Sequence, residues 1–345
     1  MNKIVIASTG ASAGKTSVIT GLARTMGGKA GYVKPLGDRL IYRKKKNWDY
    51  DASLLVQMLG LEQEPEDISL GFNHAKLRYV YDRETTREAV IEMAEKVGRG
   101  KDILFVEGGK SLGYGASIDL DSLSLASYLG GRLVVVVSGE NDVVYDEIAH
   151  LVKYCRMDGL DLAGVIANKV PDVDDFENSF AGHIRDLGVN LLGVIPLKEQ
   201  LTWFTVSFLA DRLFARVIAG EKGLEKTVRH IFLGAMSTEE SIRNPVFNKE
   251  NKFLITSGDR SDMILAALDS DSIGILLTNN LLPPANIISR ATEKNIPLLL
   301  VPGDTFQAAK EIDRLEALAT VENEESNRFL EQLVAKYVRT EELLK

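Results

Sequence analysis

An α/β fold, with a doubly wound parallel sheet followed by a smaller α/β domain, is what three features of this 345-residue sequence predict. Short runs of Ile, Val, Leu and Phe alternate with longer amphipathic stretches, the rhythm of strands buried on both faces between covering helices. The length exceeds what one hydrophobic core usually serves, which ends near about 250–300 residues. A composition of 45% hydrophobic and 26% charged residues supplies a sizeable core and is far from that of a disordered chain.

The elements follow in order. The apolar run Ile4-Val5-Ile6-Ala7 marks a first strand at 3–8, and a helix is expected at 15–26. Further strands are read at 31–34, 103–107, 133–138, 163–168 and 191–194, with helices at 51–60, 85–98, 121–129, 142–157 and 176–187 between them. This βα succession is that of an open sheet, whose ligands collect at the carboxyl ends of the strands. An amphipathic stretch at 201–219 leads to Gly220-Glu221-Lys222-Gly223, a polar, glycine-containing break suited to a hinge. The expected domains are therefore 1–219 and 224–345. In the second, apolar runs at 231–235, 253–256, 273–277 and 297–301 alternate with helices at 260–269, 285–294, 305–315 and 323–339.

Charge and cysteine usage narrow the function classes. With 41 basic and 49 acidic residues the net charge is −8, which opposes loose attachment to nucleic acid or anionic membrane. The dense basic run Arg43-Lys44-Lys45-Lys46 reads as a solvated loop. A single cysteine, Cys155, excludes an intrachain disulfide and a cysteine metal cage, and four scattered histidines suggest no zinc cluster. Met1-Asn2-Lys3 leads straight into the first strand without a signal-peptide pattern, and no apolar run approaches the roughly 18–20 residues that span a bilayer. A cytoplasmic location is expected.

The strongest chemical signal is Ser8-Thr9-Gly10-Ala11-Ser12-Ala13-Gly14-Lys15-Thr16, between the first strand and a helix. Backbone N–H groups of such a loop point at phosphate oxygens, and the following helix adds the positive end of its dipole. Lys15 is placed to reach the β- and γ-phosphates and the Thr16 hydroxyl to ligate Mg²⁺, with Thr9, Gly10, Ala11, Ser12, Ala13, Gly14 and Ser17 completing the cradle. The loop is a variant, because Thr9 stands where the usual spacing has glycine and Gly10 follows one place later. This predicts a P-loop NTPase domain binding ATP with Mg²⁺. The bland alternative is a glycine-rich turn with an exposed lysine.

Later strand ends offer the remaining contacts. Ile103-Leu104-Phe105-Val106-Glu107-Gly108-Gly109 presents Glu107 as a metal ligand or catalytic carboxylate. Of Asp49 and Asp51, one can cap the next helix, and Asp51 is favoured as the second acidic metal ligand. Lys34, held extended before Pro35, is expected to contact the γ-phosphate or a small acidic metabolite in a catalytic role. Asn168 could pair with the adenine edge or be a turn asparagine. Pro196, in Leu192-Gly193-Val194-Ile195-Pro196-Leu197, could lay backbone along the base or be an ordinary strand exit. No G-x-G-x-x-G turn supports hydride transfer.

Together, Gly14-Lys15-Thr16, Tyr32-Val33-Lys34-Pro35, Asp51-Ala52, Val106-Glu107-Gly108 and Ala167-Asn168 resemble the ordered motifs of dethiobiotin synthetase over roughly residues 1–215. The resemblance implies a homodimer or higher homo-oligomer, Mg²⁺ on Thr16, Asp51 and Glu107, and adenine read by Asn168. It also implies that Lys34 attends a carbamate and the γ-phosphate during ATP-driven ring closure. The loop departs from that family, whose version is longer and acidic where Gly10 falls. Thr9 to Gly14 with Thr16-Ser17-Val18 is similar instead to the N-terminal domain of long bacterial phosphotransacetylases, which can lack a counterpart of Lys15.

Behind it, Gly234-Ala235-Met236-Ser237, Arg243-Asn244-Pro245 and Gly258-Asp259-Arg260-Ser261-Asp262 resemble the DRTGG domain, a regulatory-type module. There Asp259 and Arg260 could form an anion site, or Asp259 could cap the following helix. Because the sequence stops where a phosphotransacetylase catalytic domain would begin, acetyl transfer is not expected. The expected function is a regulatory or sensory Mg²⁺-dependent ATP-binding protein with slow ATPase activity. The alternative is an ATP-dependent synthetase that phosphorylates a carboxylate or carbamate.

Overall fold

The computed structural model describes residues 1–43, 45–158, 161–313, 315 and 324–344. The chain divides into two compact units, Met1–Lys198 with Ala319–Lys345, and Glu199–Leu318.

In the first unit the strands are β1 (Asn2–Ser8), β2 (Ala30–Val33), β3 (Leu40–Arg43), β4 (Lys46–Asp49), β5 (Ile103–Glu107), β6 (Arg132–Val137), β7 (Leu162–Val170) and β8 (Leu191–Pro196). Six of them form one parallel sheet in the order β2-β5-β1-β6-β7-β8. The sheet winds outward from β1 in both directions, which opens a crevice at its carboxyl end, the usual ligand position in such folds. Burial on both faces explains the unbroken apolar runs: Val5, Ile6, Leu104, Phe105 and residues 133–137 are 0% exposed. The remaining pair, β3 and β4, is an antiparallel hairpin that the sequence pattern did not announce. Its polar, two-sided residues carry no clear alternation. Lys44 of the basic run lies outside the described residues.

The predicted helix at 176–187 is two short helices, Val173–Ser179 and Ala181–Asp186, joined at Phe180 with φ −118°. That angle leaves the helical well near −63°. Stacking of Phe176 on Phe180, 5.7 Å between ring centroids, holds the joint. A helix His74–Val80 also went unread.

The second unit contains β9 (Phe204–Thr205), β10 (Arg216–Ala219), β11 (Thr227–Val228), β12 (His230–Leu233), β13 (Lys252–Ser257), β14 (Ser272–Thr278) and β15 (Leu298–Leu300). Its five-stranded sheet runs β10-β15-β14-β13-β12, parallel except for β10. Alternate residues serve opposite faces. Leu254 packs with Met263, Ile264 and Ile287 on one side, and Phe253 with Val206, Leu209 and Ala308 on the other.

Both predicted domain limits shift. The stretch 201–219, expected within the first domain, falls in the second unit, where the helix Val206–Arg212 enters the core and β10 pairs with β15. A strand partner some eighty positions away leaves no local signal. The helix Glu324–Tyr337, expected in the second domain, belongs to the first unit instead. Residues 314 and 323, at predicted helix ends, lie outside the described residues.

Candidate functional site

The loop after β1 is shaped by two left-handed residues, Ser12 at φ 64° and Gly14 at φ 91°. Glycine is required at 14 on two counts, since a Cβ there would also sit 2.3 Å from the Asn168 side-chain nitrogen. That nitrogen donates to the Ala13 carbonyl at 2.7 Å, and Lys169 donates to the Ser12 carbonyl at 2.7 Å. Both side chains near the end of β7 thus hold loop carbonyls. The Thr9 hydroxyl donates to Glu147. Gly10 has open space around it, Ala11 is exposed, and Ser17 is half-buried in the first helical turn.

Lys15 opens the helix Lys15–Thr25, and its buried ammonium donates to Ser8 Oγ at 2.9 Å. Burial pulls this ammonium below the usual lysine range, against the attraction of Glu107. The Thr16 hydroxyl donates to Glu107 Oε1 at 3.0 Å, and the Tyr32 hydroxyl donates to Glu107 Oε2 at 2.8 Å. Burial pushes the Glu107 carboxyl up to about 7, opposed by Lys34 and reinforced by Asp51.

Lys34, 1% exposed, lies at the centre of an acidic group. Its Nζ is 2.6 Å from Asp38, 2.6 Å from Asp51, 3.2 Å from Asp49 and 3.8 Å from Glu107. Burial pulls the Lys34 ammonium down, but Asp51, Glu107, Asp49 and Asp38 together carry it well above its ordinary value. Burial likewise raises the Asp51 carboxyl, and Lys34 and Arg39 outweigh it, so Asp51 ends below the usual range. The two carboxylates before the helix Tyr50–Met58 divide their work. Asp49 caps it, accepting from the Asp51 and Ala52 amides at 3.0 and 3.1 Å. Asp51 faces Lys34.

The structure therefore brings Lys15, Thr16, Lys34, Asp51 and Glu107 together and sets Asn168 against the loop. Pro196 stands apart, at the end of β8, paired with Val170. The hard oxygen donors Thr16, Asp51 and Glu107 fit a magnesium ion, and carboxylate oxygens of Asp38, Asp49 and Asp51 lie within 4.8 Å of one another. Tyr32, Asp38, Arg39, Glu147 and Lys169 were missed as site residues. Period two along a strand places Tyr32 on the face of Lys34, a signal that could have found it.

In the second unit Arg260 is already engaged. It donates to Asp262 Oδ1 at 3.2 Å and to the Met236 carbonyl at 3.2 Å. Hydrogen bonds from Arg260 and then Thr238 depress the Asp262 carboxyl to about 2. Asp259 does not cap the helix Ser261–Leu268, whose N-cap is Arg260 with no side-chain bond.

Residues 2–205 match the AAA domain family AAA_26. The chain belongs to that family. Residues 208–315 match the DRTGG domain, so the AAA domain is followed by a DRTGG domain. Among curated relatives, the phosphate acetyltransferase of Nitrosomonas europaea is 23% identical over 368 aligned residues, covering 100% of this chain and 52% of that protein. The chain thus spans about half the length of the phosphate acetyltransferases it matches, and is homologous to their N-terminal region. The ATP-dependent dethiobiotin synthetase of Methanocaldococcus jannaschii is 27% identical, covering 57% of this chain and 95% of that protein. Among solved structures, the MinC:MinD cell division complex of Aquifex aeolicus aligns with 58% of this chain and 84% of that one at 15% identity and TM-score 0.38. No described helix is long and apolar enough to cross a membrane.

Proposed function

We propose that this AAA domain binds ATP with Mg²⁺ in the crevice above β1, and that occupancy of the site serves a regulatory or sensory purpose with slow hydrolysis. One observation carries the reading: Thr16 Oγ1 and Glu107 Oε1 lie 3.0 Å apart beside Lys15, at the carboxyl end of β1 and β5. Loop amides and the Lys15 ammonium grip the phosphates, while Thr16, Asp51 and Glu107 hold the magnesium ion. The ion supplies charge neutralisation along the triphosphate. Lys34 stands ready to meet the γ-phosphate or a small acidic metabolite. Asn168 braces the loop from the side on which the adenine edge is expected, with Pro196 farther along that rim. A homodimer or higher homo-oligomer in the cytoplasm is the assembly and location that fit the reading.

The match to a dethiobiotin synthetase over nearly its whole length favours a second reading, an ATP-dependent synthetase that phosphorylates a carboxylate or carbamate beside Lys34. Calorimetry with Mg·ATP tests the part common to both. Lys15→Ala, which deletes a charge-assisted phosphate contact, should weaken binding about 10- to 100-fold. Equal affinity of variant and wild type would sink it. ADP release stimulated by one metabolite would select the synthetase, and a slow rate indifferent to a metabolite panel the sensor.

A further inference from the structure

The segment 324–344 lies beyond both family matches, which end at residues 205 and 315. It nevertheless seats on the helix that carries Lys15 and Thr16. Leu330, Leu333 and Val334 are buried there, and the seat is close enough that a Cβ on Gly21 would come within 2.3 Å of Val334 Cγ2 and 2.9 Å of the Leu330 carbonyl. Arg24, one turn on, pairs with Glu324 at 2.7 Å and Glu331 at 3.0 Å. The chain then adds to the exposed edge of the sheet. Val338 bridges Gly193 antiparallel, and the Arg339 amide donates to the Leu192 carbonyl at 2.8 Å. Gly193 is as constrained as Gly21, with the Tyr337 carbonyl 2.3 Å from where its Cβ would be. Asn190 donates to Glu342 at 2.6 Å, and Arg132 donates to the Glu342 carbonyl at 3.0 Å, fastening the end.

We propose that residues 324–344 are a strap coupled to nucleotide occupancy through the helix Lys15–Thr25. This coupling presupposes ATP binding as proposed above. The helix Lys15–Thr25 spans roughly 16 Å as one rigid element, with the phosphate cradle at one end and the strap at the other. Linkage makes the coupling reciprocal: a nucleotide that tightens the strap is itself weakened by the same factor when the strap is loosened.

Hydrogen exchange on the full chain, with and without Mg·ATP, is the test. Expected is slowing at residues 8–17 and, by about 5- to 10-fold, at 324–339, with Mg·ATP affinity in Gly21→Ala lowered by a matching factor. Protection at 8–17 with 324–339 unchanged overturns the strap while leaving ATP binding intact. Protection at neither segment overturns the nucleotide reading and the coupling with it. Should Gly21→Ala not fold, Arg339→Ala, which frees the strap end without overpacking, carries the same affinity comparison.

Discussion

The first unit buries Lys15 and Lys34 and the second buries Lys252, and Lys34 and Lys252 are treated in opposite ways. Lys34 is 1% exposed and Lys252, at the start of β13, is 0% exposed. Lys34 has four carboxylates within 4 Å, whereas the Lys252 ammonium has no hydrogen-bond partner among the described residues and lies 4.8 Å over the Phe247 ring. Burial lowers the Lys252 ammonium with only Asp271 to offset it, while at Lys34 the carboxylates overcome burial. The contrast shows what distinguishes a working charge from a tolerated one. Asp38, Asp49, Asp51 and Glu107 would repel one another without a cation between them, so cation and acids hold each other in place. Lys252 holds nothing polar in place and contributes its alkyl stem to packing.

Replacing the central cation should break the first arrangement most severely. Lys34→Met removes the central cation from Asp38, Asp49, Asp51 and Glu107, leaving Asp51 its pairing with Arg39, and should lower stability in urea by about 3–5 kcal/mol. Millimolar Mg²⁺ should restore part of this, because Asp38, Asp49 and Asp51 have oxygens close enough to share one ion. A loss below about 1 kcal/mol would show that the acids do not depend on the lysine, and indifference to Mg²⁺ that they do not share an ion in its place.

The same substitution in the second unit should act in the opposite direction. Lys252→Met removes a buried, unpartnered ammonium and keeps its bulk, so stability should rise by about 1–3 kcal/mol at neutral pH. The pH dependence follows from the lowered value. Folded Lys252 releases its proton before an unfolded lysine does, so wild-type stability climbs with pH between those two values. The advantage of methionine should shrink as the solution is made alkaline. For Lys34, whose folded value is raised, stabilisation is complete below the unfolded lysine value and is lost only as pH climbs through the folded one. Chemical denaturation of both variants from neutral to alkaline pH would expose the contrast, and a constant gap for Lys252→Met would contradict it.

How much of this was legible follows from where the information resides. The strands of the parallel sheet were readable because burial on both faces forces continuous apolar runs such as Leu133 to Val137. That Lys15, Thr16, Asp51 and Glu107 lie near one another was readable because each stands at a strand end or helix start, a position with a sequence mark. The bracing of the loop by Asn168 and Lys169 was not, since it needs β7 to lie beside the loop in space. Nor was the domain limit, since β10 and the strap find their partners far along the chain. The turn was open to two readings, an anion site at Arg260 or a capping Asp259, because the pairing partner Asp262 reads equally well as a solvated helix-start acid.

That last ambiguity gives the mildest test. Asp262 is depressed to about 2 from 3.8, so its pairing stabilises above the ordinary carboxylate value and is lost as pH falls through about 2. The side chain is 55% exposed, and solvent screening should hold the effect of Asp262→Asn below about 1 kcal/mol at neutral pH. Wild type and variant should converge on acidification below pH 4 and at high salt. Freeing Arg260 also asks whether the turn takes an anion at all. If it does, inorganic phosphate should stabilise the variant more than the wild type, because Asp262 no longer competes for the guanidinium. Equal response of the two proteins to phosphate would mean that the Arg260 turn only ties the start of its helix to the Met236 carbonyl.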